Sequence, residues 1–192
     1  MFGKVKNIFS SEKEESCCST TQEASSCATN TENAEGCCTL QPKGKVECPK
    51  CNEKAKGVLG LTLEHLLTDE AKSKLSCFDG FYYCKTPLCE VVYFRDNEML
   101  TQKDVSVVVG LKDGAFPATT CYCFEWTKEK IFAQLQETGE TNALEDIKAK
   151  MKNPGCSCET LNPSGECCLA DNTKIIKEFK KALDQMNFKG KG

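Results

Sequence analysis

The sequence holds a single histidine, little excess charge of either sign and no long apolar run. Each shortage removes a class of function. One imidazole and no convincing carboxylate pair leave little from which to build a nucleophile and its base, so an acid–base enzyme is not expected. A spanning helix needs roughly eighteen or more apolar residues in succession, and no stretch approaches that, so no membrane span is expected. The N-terminal stretch "MFGKVKNIFSSEKEESCC" has no apolar run of signal-peptide length before it turns acidic and polar. Twenty-five Lys and Arg stand against 28 Asp and Glu, a formal net charge of −3. Nothing in that balance calls for a nucleic-acid partner. Residues 11–41 have almost no large apolar side chains. Such a segment cannot bury enough surface to offset its ordering entropy, so residues 1–45 are expected to be a disordered, cysteine-rich tail.

What the chain has instead is cysteine, 16 in 192 residues. In a small secreted protein that abundance would suggest a disulfide framework. Here the cysteines come in short-range pairs, CC, CxC and CPxC, a spacing that suits one metal better than loops stapled across a fold. With no secretory signal, the expected setting is a reducing cytoplasm with thiolates held by metals.

Order is expected from Val46. After "CPKC" at 48–51, "VLGLT" reads as a short strand and turn. "TLEHLLTDEAKSKL" spaces Leu63, Leu66, Leu67, Ala71 and Leu75 as one helix, with Thr62 or Thr68 as candidate N-caps. "FYYC", "EVVYF" and "VSVVVGL" (105–111) read as strands. The pattern then turns helical. "TKEKIFAQLQETG" starts at a Thr127 cap and stops at Gly139. "NALEDIKAKMKNPG" pairs Asn142 with Glu145 at capping-box spacing and ends before Pro154. "DNTKIIKEFKKALDQMNF" puts Ile175, Ile176, Phe179, Leu183 and Met186 on one face. The expected class is α+β: a β-rich zinc-binding module at 46–115, a helical 2Fe–2S domain at 116–170, and a C-terminal amphipathic helix at 171–192.

Cys48 and Cys51 form a CxxC knuckle, and Cys84 and Cys89 a C-x4-C pair between two strands. Together they supply four thiolates, enough to close a tetrahedral shell without water, as in structural zinc sites. Rubredoxin-like iron would accept the same ligands. Cys77 is read as a thiol outside this set, and His65 as packed or capping within its helix.

Cys121 and Cys123 flank one residue, so in an extended segment both side chains would point to the same side. Zinc knuckles usually leave two or more residues between ligands. CxC, two helices and a second cysteine group, "CSCETLNPSGECC", fit the four thiolates of an iron–sulfur cluster. "CYCFEWTKEKI" followed by a helix pair resembles the bacterioferritin-associated ferredoxin type of 2Fe–2S domain. The larger order of "CPKC", "YYCKTPLCEVVYF", "CYCFEWT" and "CETLNPSGECC" resembles the N-terminal region of the CopZ-type copper chaperone family, which carries a zinc ion and a 2Fe–2S cluster. By that resemblance Cys48, Cys51, Cys84 and Cys89 would hold zinc. Cys121, Cys123, Cys158 and Cys168 would hold the cluster, with Cys156 and Cys167 as ambiguous neighbours.

The resemblance implies a role in copper handling, in which a 2Fe–2S centre reduces Cu(II) to Cu(I) and thiolates capture the product. The expected partners are a soft metal ion and a redox partner protein or metal transporter. The family's MxCxxC copper site has no counterpart in these 192 residues, so delivery does not carry over by resemblance alone. The tail cysteines Cys17, Cys18, Cys27, Cys37 and Cys38 are candidates for Cu(I). Two other readings stay open: a ferredoxin-like carrier without metal cargo, and a non-redox thiol protein with zinc in both sites.

Overall fold

Aromatic and β-branched residues around two cysteine-bearing turns build an antiparallel meander. In the computed structural model, which describes residues 44–189 with side chains through 186, the strands are β1 (Lys45–Glu47), β2 (Lys54–Gly57), β3 (Tyr82–Tyr83), β4 (Val91–Arg95) and β5 (Glu98–Thr101), hydrogen-bonded in that order. Every neighbour is antiparallel. The β1–β2 and β3–β4 connections therefore emerge at the same end of the sheet, one carrying "CPKC" and the other Cys84 and Cys89. Expectations for residues 1–43, including the tail cysteines, lie outside the described residues.

Strand β4 is buried on both faces. A bulge between Val91 and Tyr93 turns Val92 and Tyr93 toward one core and leaves Val91 and Phe94 with the cysteines on the other. The first core is closed by two short helices in the β2–β3 connection, α1 (Gly60–Leu66) and α2 (Asp69–Ser73). The sequence pattern predicts one continuous helix there. It breaks because Leu67 is extended and bridges to Val105, while the Thr68 N–H donates to the Asp104 carbonyl at 2.9 Å. Thr68 restarts the chain as the N-cap of α2, its hydroxyl accepting the Ala71 N–H at 3.2 Å.

The strand expected at 105–111 is not formed either. Beyond the single bridge at Val105, side chains satisfy the backbone: Gln102 accepts from the Val109 N–H and donates to the Val107 carbonyl, each at 2.8 Å. Tyr122 accepts from the Gly110 N–H and donates to the Val108 carbonyl, each at 2.9 Å. Burial is also uneven, for Val109 is enclosed and Val108 is exposed. The expected "VLGLT" strand lies instead one step earlier, in β2, and Gly60 already belongs to α1.

The second half opens with a small hairpin, β6 (Thr119–Cys121) and β7 (Trp126–Thr127), which leads into α3 (Lys128–Thr138) and α4 (Ala143–Lys152). Thr127 caps α3 by accepting the Lys130 N–H, and Gly139 ends it at φ +75, as predicted. Asn142 does precede α4, but its side chain does not cap it. The Asn142 side-chain oxygen accepts from Gln134 of α3, and Thr141 accepts the Ala143 N–H. Asn153 is extended ahead of Pro154, ending α4 where the proline rule places the stop.

A single helical turn, α5 (Cys158–Leu161), and a long helix, α6 (Leu169–Lys189), complete the chain. Helix α6 packs on α3, α4 and β6. Ile175 and Ile176 are buried, and Phe179 meets Phe132 edge-on at 5.2 Å between ring centroids. Met186, expected on the packed face, is exposed. The core here gathers Ile131, Leu135, Ile147 and Ile176 around Cys121 and Cys168. The class is α+β, with a β-rich module leading.

Candidate metal centres

The first centre follows from the shared end of the sheet. Cys48 Sγ stands 3.9 Å from Cys89 Sγ, and Cys51 Sγ 3.7 Å from Cys84 Sγ. All four sulfurs lie within 4.8 Å of one another. A tetrahedron with Zn–S bonds of about 2.3 Å has sulfurs about 3.8 Å apart. The donor set and its spacing therefore fit one tetrahedral ion. The "CPKC" turn is closed by Asn52 N–H donating to the Cys48 carbonyl (2.8 Å) and Cys48 N–H to the Glu53 carbonyl (2.9 Å), with Asn52 in the left-handed region at φ +58.

Backbone amides point at the sulfurs. Burial pushes the Cys48 thiol up, against the pull of the Lys50 and Cys51 N–H groups. Burial likewise raises Cys89 to about 12, partly offset by the Val91 N–H. At Cys51 burial also pushes upward, but hydrogen bonding with the Thr86 hydroxyl, the Glu53 N–H and the neighbouring thiols outweighs it and brings the group to about 7. Thiolate character is thus concentrated where donors converge, which is what a cation needs.

Beneath the second knuckle lies a residue the sequence did not single out. Lys112 is only 8% exposed, and its ammonium donates to the carbonyls of Val91 (2.6 Å), Cys84 (2.8 Å) and Thr86 (3.1 Å). All three N–H groups are used on the loop that carries Cys84 and Cys89. One divalent ion with four thiolates carries two negative charges in excess, and a buried cation in this position offsets part of them. In the sequence, "GLKDG" looks like a solvated loop; nothing local marks its lysine.

The second set of cysteines is arranged differently. Cys121 ends β6, and Cys123 sits in the turn to β7 rather than in extended chain, so the two side chains do not share one face of a strand. Cys123 Sγ lies 3.8 Å from Cys158 Sγ, at the start of α5. Cys121 is hydrogen-bonded to Cys168, and both are buried. The four thus form two pairs. Cys121 is brought down to about 7, first by the Cys168 thiol and then by the Phe124 and Cys123 N–H groups against burial. Cys168 is pushed well up by the same contact and by burial. Cys158 is raised to about 12 by burial and by its Cys123 neighbour. Of the ambiguous neighbours, Cys156 and Cys167 are exposed.

Two further side chains set this geometry. Asn172, fully buried on α6, donates to the Thr120 carbonyl (3.1 Å) and the Cys168 carbonyl (2.9 Å), tying β6 to the start of α6 beside the Cys121–Cys168 pair. The loop 156–168 is held from the β-rich module. Thr62 of α1 donates to the Glu159 carbonyl at 2.6 Å, and Tyr93 of β4 to the Pro163 carbonyl at 2.7 Å. Gly165, at φ +66, passes so close to α1 that a Cβ there would stand 2.8 Å from the Thr62 hydroxyl. Lys56 and Lys85 meet Glu166 at 2.8 and 3.6 Å.

Cys77 lies outside the four-cysteine group, as read from sequence, whereas His65 is placed otherwise. Cys77 accepts a hydrogen bond from Arg95 at 3.0 Å. His65 is exposed in the last turn of α1, not packed. No described helix is long and apolar enough to cross a membrane.

A meander whose knuckles gather four thiols at one end, followed by a helical segment with two cysteine pairs, one of them buried, is the architecture of a zinc-binding metalloprotein. Residues 45–106 match the CopZ-type family described as "Zinc binding domain". The copper chaperone CopZ of Archaeoglobus fulgidus is 31% identical over 123 residues, covering 64% of this chain and 58% of that protein. The crystal structure of the N-terminal domain of Archaeoglobus fulgidus CopZ superposes with a TM-score of 0.58 at 30% identity, covering 68% of this chain and 97% of that one. The chain belongs to the family of the CopZ N-terminal domain. It spans somewhat over half the length of the curated relative.

Proposed function

We propose that this chain is a redox metalloprotein of soft-metal homeostasis, with zinc held by Cys48, Cys51, Cys84 and Cys89 and a 2Fe–2S cluster held by Cys121, Cys123, Cys158 and Cys168. The observation that carries the second assignment is the division of four cysteines into two close pairs, Cys121 with Cys168 and Cys123 with Cys158. A dinuclear centre needs two thiolates at each iron, whereas one zinc draws four sulfurs into a single group, as at the first centre.

A 2Fe–2S centre in all-thiolate ligation stores and releases one electron. The chain's own part is to bury Cys121 and Cys168 away from water and to aim the Cys123 and Phe124 N–H groups at Cys121. Hydrogen bonds and burial of this kind tune the potential of such a centre. The likeness to a copper chaperone supports copper as the cargo: one electron converts Cu(II) to Cu(I), which soft thiolates then bind. The zinc module is scaffold, since Thr62 and Tyr93 hold the loop bearing Cys158. A soft metal ion, a redox partner protein or metal transporter, and a cytoplasmic setting complete the reading.

Metal analysis with visible and EPR spectra of anaerobically purified protein tests it. One zinc and two irons per chain, visible absorbance and an EPR signal on reduction are expected. A colourless protein with two zinc ions would replace this function with non-redox metal sequestration. A cluster without any Cu(I) binding would leave a ferredoxin-like electron carrier.

A further inference from the structure

Two cysteines of the loop 156–168 lie outside the two sets of four assigned above. Cys156 and Cys167 are exposed, and both line one open cavity of about 480 Å³ together with Cys158 and Glu159. The turn between them brings them there. Gly165 N–H donates to the Asn162 carbonyl at 2.7 Å, Asn162 donates through its side chain to the Glu166 carbonyl at 2.7 Å, and Ser164 N–H closes on the Asn162 side chain at 3.2 Å. This reversal folds residues 165–167 back alongside 156–160. Cys156 also lies within hydrogen-bonding reach of Cys158.

We propose that Cys156 and Cys167 form a surface site for a soft monovalent ion of the Cu(I) class, held by two thiolates at low coordination number. Sulfur ligands select such ions over harder cations. Zinc is disfavoured, because a structural zinc site closes with four ligands. Among the described residues only Cys48, Cys51, Cys84 and Cys89 bring three or more ligand atoms within mutual reach. Exposure suits cargo: the ion enters and leaves from solvent, and the two thiols release their protons to water as it binds. The site rests on the proposed function in one respect, that Cys158 and Cys168 serve the buried centre and leave these two sulfurs over.

The test uses the full chain, purified anaerobically and kept reduced, beside Cys156→Ser, Cys167→Ser and the double variant. Each is titrated with Cu(I) against a chromogenic Cu(I) chelator while the visible spectrum is followed. All four proteins share the cysteines of residues 1–45, so these subtract out. The double variant is expected to lose one equivalent of bound Cu(I), and each single variant the same full equivalent, with zinc content and visible bands unchanged. Equal stoichiometry in all four proteins overturns the proposal. So does loss of the visible bands from a variant, which would make that sulfur a ligand of the buried centre. Should the parent protein itself have no visible bands, the electron-transfer reading fails, while the difference in bound Cu(I) still decides this site.

Discussion

Replacing Lys112 by methionine isolates the buried ammonium under the second knuckle. The substitution keeps an unbranched apolar stem of similar length and removes three hydrogen bonds, at 2.6, 2.8 and 3.1 Å, from the carbonyls of Val91, Cys84 and Thr86. A hydrogen bond involving a charged group contributes about 1.5–3 kcal/mol, and a buried acceptor left unmet costs about 1–3 kcal/mol. The three do not simply add. The Thr86 carbonyl keeps the Cys89 N–H at 3.2 Å, and the loop lies near enough to solvent for water to replace part of the loss. A net destabilisation of the zinc-loaded protein of about 2–4 kcal/mol follows, which is about 30- to 1,000-fold in the opening of the Cys84–Cys89 loop. Guanidinium unfolding reads the first quantity, and zinc release to a chromogenic chelator reads the second. Lys112→Gln, which retains two donors without the charge, should fall between the parent and Lys112→Met. A stability change below about 0.5 kcal/mol with unaltered zinc release would show that the lysine is merely tolerated there, and the argument from its three bonds would be wrong.

Two other perturbations test how the second set of cysteines is held. Tyr93→Phe leaves the Pro163 carbonyl without its donor, a local cost of about 1–3 kcal/mol; hydrogen exchange across 156–168 should accelerate while zinc content stays at the parental value, and unchanged protection would remove the β-rich module from the positioning of that loop. Asn172→Leu removes the hydrogen bond from α6 to the Thr120 carbonyl of β6 and the one to the Cys168 carbonyl, so in metal-free protein Cys168, now 3% exposed, should alkylate at least about tenfold faster, as expected for a loss of about 1.4 kcal/mol; an unchanged rate would show that packing alone closes the pair.

Much of this was legible in the chain because it depends on neighbours in sequence. A CxxC turn directs two sulfurs at one point whatever surrounds it, and Thr127, Gly139 and Pro154 bound their helices through local backbone preferences. Where the reading failed, a distant segment had intervened. The helix expected through 62–75 is cut because Leu67 bridges to Val105, and the valines at 105–111 form no strand because Gln102 and Tyr122 take up their backbone groups. Met186 has the spacing of a packed residue but is exposed.

By itself the sequence determined the cysteine motifs, their order, and the change from β-rich to helical pattern, since each arises from spacing along the chain. Only the tertiary structure decided that both knuckles meet at one end of the sheet, that Cys168 is buried while Cys167 faces solvent, and that Lys112, Thr62, Tyr93 and Asn172 brace the two sets of thiols. The reason is physical. A lysine beneath a loop or a tyrosine reaching a carbonyl 70 residues away has no periodicity to betray it, because its partner exists only once the chain has closed on itself.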